Sequence, residues 1–125
     1  MRFQFASDLH LEFRVNQEWL RNNPMNPVGD VLILAGDIMP LNQLDQLSSF
    51  LDECSEKWRE VYWLPGNHEY YGSDLALTGT NLIQPIRKNL FLVNNATIKS
   101  GDTQFVFSTL WSKISQLNAL KFPGA

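Results

Sequence analysis

Five consecutive apolar residues, Val31-Leu32-Ile33-Leu34-Ala35, close on Gly36-Asp37. A run without alternation reads as a strand covered on both faces, the interior of a parallel sheet, and such a sheet needs helical crossovers to bring the chain back. The flanking sequence supplies the parts. Arg2-Phe3-Gln4-Phe5-Ala6 alternates polar and apolar, as a half-buried strand does, and runs into Ser7-Asp8-Leu9-His10. From Leu41 onward the apolar positions Leu44, Leu47, Leu51, Cys54 and Trp58 fall three or four apart, which predicts an amphipathic helix. Val61-Tyr62-Trp63-Leu64 is strand-like again and ends in Pro65-Gly66-Asn67-His68-Glu69. Strand, helix, strand at this spacing is a right-handed crossover with parallel strands. The expected fold class is α/β, a mixed or parallel sheet with flanking helices.

The stretch from Glu12 to Gly29 carries Asn22-Asn23-Pro24 and Asn26-Pro27, so it reads as a loop with a short helical turn around Gln17 to Arg21. A second helix is predicted over Asn81 to Lys88, followed by a strand at Leu90-Phe91-Leu92-Val93. Ala96 to Lys99 and Gln104 to Thr109 flank the short polar turn Ser100-Gly101-Asp102-Thr103, a hairpin signal. In the tail, Ile114, Leu117 and Leu120 lie at helical spacing until Lys121-Phe122-Pro123-Gly124. Without repeats or an obvious linker, 125 residues of which 44% are apolar read as a single domain, 1–125, with one core.

A formal charge of −3 with 18% charged residues gives no basic field, so a nucleic-acid partner has no support beyond what a local groove would provide. The apolar runs are far too short to span a bilayer, and the N-terminus opens on a patterned segment rather than an apolar leader. A cytoplasmic chain without a membrane partner is therefore expected. Its one cysteine, Cys54, can form no internal disulfide and no thiolate zinc cluster, which fits a reducing compartment. Cys54 lies on the apolar stripe of the helix, where it reads as packing and not as a nucleophile. Neither glycine-rich nucleotide-binding motif is present.

The chemistry gathers at strand ends. Asp8-Leu9-His10, Gly36-Asp37 and Gly66-Asn67-His68-Glu69 each follow a predicted strand, and the carboxyl ends of parallel strands share one edge, where ligands bind. Extended backbone would put Asp8 and His10 on one side, able to grip one cation together. Asp37 after an apolar strand is costly unless a cation compensates it, and its two oxygens suit a bridge between two ions. Asn67 adds a neutral carbonyl oxygen. Two divalent ions against Asp8 and Asp37 would leave net positive charge for a phosphate ester.

These motifs, in this order, resemble the signature of the calcineurin-like metallophosphoesterase superfamily: Asp-x-His, Gly-Asp, then Gly-Asn-His-Asp/Glu. The resemblance covers roughly residues 1 to 110. It implies Asp8 and His10 as ligands of a first metal, Asp37 as the bridging ligand and Asn67 as a ligand of the second. His68 is similar to the family's catalytic histidine, which contacts the phosphoryl oxygen and serves as general acid, and Glu69 stands where an acidic residue would orient that histidine. The implied fold is an αββα sandwich, here partial. The implied activity is hydrolysis of a phosphoric monoester or diester by a metal-bridged hydroxide, with manganese, iron or zinc in the complete site.

Relatives supply further histidines from a C-terminal half, whereas this chain has two histidines, His10 and His68. The residual donors are mainly oxygens, which favours manganese or magnesium. The chain is accordingly expected to lack the family's C-terminal half. It would be a piece of a longer enzyme, a subunit completed by another chain, or a catalytically silent module working through self-association or a partner. An uncovered sheet face drives association, so a homo-oligomer is expected. Tyr70, Tyr71 and Trp111 read as packing or as the rim of a substrate mouth, Asp30, Asp74 and Asp102 as turn or strand-start residues, and Asp45, Asp52, Glu53 and Glu56 as the solvated face of the helix.

Overall fold

A computed structural model describes residues 1–67, 69 and 81–109. The predicted tail helix, Tyr70, Tyr71, Asp74, Trp111 and His68 lie outside the described residues. Strands β1 (Phe3–Ala6), β2 (Val31–Ala35), β3 (Glu60–Leu64), β4 (Leu82–Arg87) and β5 (Leu90–Asn94) form a five-stranded sheet in the order β1-β2-β3-β5-β4. The first four in that order run parallel, and β4 pairs antiparallel at the edge. Strands β6 (Ala96–Ser100) and β7 (Thr103–Phe107) form a separate antiparallel hairpin. Helix α1 spans Arg14–Asn22, and helix α2 spans Ser48–Lys57.

Strand periodicity splits the core into two layers. Leu32 and Leu34 of β2, Val61 and Trp63 of β3, and Leu90 and Leu92 of β5 face the helices, where Leu51 and Cys54 of α2 and Leu20 of α1 meet them. The alternate residues Val31, Tyr62 and Val93 face the β6–β7 hairpin and pack with Phe105 and Phe107. The protein is therefore α/β, and its described residues form three layers, helices on a mixed sheet on a hairpin. The exposed acidic residues of α2, Asp52, Glu53 and Glu56, do form its solvated face.

Three predicted elements change. Residues 82–87 are strand β4 and not a helix. Leu82, Ile83 and Ile86 fit a helical spacing, but Pro85 lacks an N–H and two residues of the segment are β-branched, both adverse to a helix interior. An edge strand tolerates the proline, and the register is irregular between Pro85 and Arg87. Asn89, in the turn from β4 to β5, donates to the carbonyls of Ser55, Trp58 and Arg59 and so ties the turn to the end of α2. The long helix expected from Leu41 is interrupted: a 3-10 turn at Leu41–Gln43 precedes α2, which begins at Ser48. Conversely, the short turn foreseen around Gln17 is a full helix.

Candidate metal centre

Parallel pairing of β1, β2 and β3 brings their carboxyl ends to one edge, and each end opens into a tight corner. Past the strands the first two corners stay zipped together: Asp8 N donates to Gly36 O, His10 N to Asp37 O and Leu11 N to Ile38 O, at 3.0, 3.0 and 2.8 Å. The backbone here is not extended, contrary to expectation. Asp8, His10 and Asp37 all take positive φ, 57°, 47° and 55°, a left-handed conformation that non-glycine residues rarely adopt. Strain of this kind persists where surrounding structure over-determines it, and here it aims three side chains at one point.

That convergence is direct. Asp8, His10 and Asp37 each offer a ligand atom, and the three atoms lie within 4.8 Å of one another. Opposite donors of one cation stand about 4 to 5 Å apart, twice a metal–ligand bond of about 2.0–2.6 Å, so the group fits a divalent ion. His10 Nε2 lies 3.7 Å from Asp8 Oδ1. On the other side of the ring, Nδ1 meets Glu12 Oε1 at 3.2 Å. A carboxylate only accepts, so Nδ1 donates to Glu12, and a cation held with Asp8 would take the lone pair of Nε2.

The amide end of Asn67 sits 3.1 and 3.2 Å from the two Asp37 oxygens. With its NH2 turned inward it donates to the carboxylate; with its carbonyl inward, oxygens face oxygens, an arrangement that a shared cation stabilises. In the second orientation the carbonyl oxygen of Asn67 stands as a further oxygen donor beside Asp37.

Two glycines set how closely the second and third corners approach. A Cβ on Gly66 would stand 2.5 Å from Asp37 Oδ1, and one on Gly36, whose φ is +90°, would meet Gly66 backbone at 3.2 Å. The Gly-Asp and Gly-Asn steps read in the sequence are therefore contact surfaces as well as turn residues.

The expected pairing of Glu69 with His68 involves a residue outside the described ones, but Glu69 also has partners that its sequence position does not announce. It is fully buried, and its carboxylate accepts from Asp37 N, Ile38 N, Gly66 N and Trp63 Nε1 at 2.7–2.9 Å. These bonds lock the second corner to the third, a bracing role that Asp/Glu after Asn-His does not announce. Glu12 was missed outright, although a carboxylate two residues past a candidate histidine ligand is a signal that such histidines take an acidic partner. Catalytic candidate His68 lies outside the described residues.

Buried Cys54 is an inert thiol, since burial pushes its pKa up to about 12 with Glu53 adding to the shift.

The calcineurin-like phosphoesterase family profile matches residues 1–123. An uncharacterized protein of Acanthamoeba polyphaga mimivirus is 32% identical over 130 aligned positions, which take in 90% of this chain and 45% of that relative. The chain thus spans about half the length of the relative it matches. No solved structure matches it. Among the described residues no helix is long and apolar enough to cross a membrane. Strand-end corners that gather Asp8, His10 and Asp37, together with a profile match over nearly the whole sequence, lead to one conclusion: the chain belongs to the calcineurin-like phosphoesterase family.

Proposed function

We propose that the protein hydrolyses a phosphoric ester, monoester or diester, at a two-cation centre. The convergence of Asp8, His10 and Asp37 beside Asn67 carries this reading. Asp8, His10 and Asp37 would hold the first ion, and Asp37 with Asn67 the second. Cations bound there would lower the pKa of water and polarise the phosphoryl group. Glu12 would keep His10 in the tautomer that presents Nε2 to a cation, while Glu69 and the paired glycines hold Asp37 against the third corner, where its carboxylate would serve as the shared ligand. His68, next to Asn67 in sequence, is assigned the proton delivered to the leaving group. Manganese or magnesium suits the oxygen-rich donor set, and further donors would come from more chain or from a second subunit.

Incubation with manganese and an aryl phosphomonoester or diester should release phosphate or alcohol. D37N should abolish turnover, and H68A should lower kcat by about 100-fold, the lower end for a lost general acid. Turnover that is indifferent to manganese and to both substitutions would refute the reading.

A further inference from the structure

Beside the cation cluster lies a cavity of about 200 Å3 walled by Asp8, Leu9, Leu11, Asn16, Trp19 and Leu20. Asp8 belongs to both, so whatever fills the cavity lies beside the cation cluster. Three of the remaining walls are leucines. Trp19 leaves 62% of its surface in solvent although α1 has a core below it, so its indole is not committed to packing. Phe13 is exposed as well, with its ring 6.5 Å from that of His10. Two open aromatic rings thus flank the ligand loop.

The wall is also fixed in place. Asn16 Nδ2 donates to the carbonyls of Leu9 and His10 at 3.2 and 3.0 Å, and Gln17 Nε2 donates to Leu11 O at 2.6 Å, so α1 is fastened to the loop that carries two candidate ligands. Among the described residues no lysine or arginine lines the cavity, so none of them offers a counter-charge to a second phosphate there. Apolar walls, an accessible indole and no cation suit a flat, uncharged aromatic group.

We propose that this cavity is the leaving-group subsite and that it selects phosphoesters of planar aromatic alcohols or nucleosides, with Trp19 stacking on the ring. The proposal rests on the phosphoesterase reading and names its substrate class. The test is calorimetric titration of the manganese-loaded chain with phenylphosphonate, methylphosphonate and a nucleoside phosphonate, none of which is hydrolysed. Phenylphosphonate should bind about tenfold more tightly than methylphosphonate, within the range for stacking on an aromatic side chain. W19A should bring that ratio close to one and W19F should restore most of it. The nucleoside compound binding more tightly than phenylphosphonate would identify a nucleobase as the stacked group, and the reverse a simple aryl group. Manganese binding with equal affinity for phenyl- and methylphosphonate, or a ratio unmoved by W19A, would overturn the subsite and leave the phosphoesterase reading intact. Failure to bind manganese or any phosphonate would remove both.

Discussion

At Glu69 a fully buried carboxylate accepts from four N–H groups, three of the main chain and one of Trp63. A glutamine keeps one acceptor oxygen and turns an NH2 toward donors, so E69Q should cost about 3 kcal/mol or more, read as a lower urea midpoint. The same substitution should weaken manganese binding, because Asp37 N is one of the four donors. Cys54 makes a prediction of a different kind. Its thiol is lifted from an ordinary 9.0 to about 12 in the native state, chiefly by burial. Above pH 9 the unfolded chain releases this proton while the native chain keeps it. The stabilisation is therefore complete below the unfolded value and drains away as pH climbs toward the native one. Tyr62 acts in the same direction, since burial and its hydrogen bond to Glu60 push its phenol upward. Urea midpoints should fall between about pH 9 and pH 11, and C54A should flatten the early part of that fall.

Among elements, α2 and α1 do different work on the same face of the sheet. Helix α2 is a packing element: Leu51 is 1% exposed within the larger core, so L51A should cost about 2–5 kcal/mol in a denaturant titration. Helix α1 buries no residue completely and is held to the ligand loop by Asn16 and Gln17. N16A releases the carbonyls of Leu9 and His10, a partly exposed pair of bonds. It should lower stability by only about 1 kcal/mol yet loosen the left-handed backbone at His10, so manganese affinity should drop more than the melting temperature suggests. Strand β4 shows where periodicity failed. Ile83 and Ile86 lie three apart, but Pro85 and a tight return at Lys88-Asn89 made a hairpin with β5 the better solution, and Arg87 then reaches Asp52 of α2 at 2.6 Å.

At the scale of the molecule, the described residues put one face of the sheet under helices and part of the other under the β6–β7 hairpin. Phe3 meets Phe105 at a ring distance of 5.2 Å, but Phe5, two residues along the same edge strand, is 77% exposed. An apolar edge strand left open in this way favours association. Sedimentation over a concentration series should show species larger than a monomer, and F5E should shift the population to monomer. A clean monomer at every concentration would end that expectation.

The three strand-end motifs, the α/β class and the helix that buries Cys54 were legible because each depends on local pattern: an unbroken apolar run, a repeat of three and four, a polar cluster at a strand's close. Asp8, His10, Asp37 and Asn67 were identifiable as candidates on the same ground. Their geometry was not. Left-handed φ at three residues goes with the zipping of the first two corners, while the glycine contact between the second and third corners and two of the four bonds to Glu69, from Asp37 and Ile38, join segments some thirty residues apart. Periodicity reports how a segment meets solvent, so it reveals which face is buried. Which corner braces which is settled only when distant strands pair in register, because the donors and the close contacts then come from different parts of the chain.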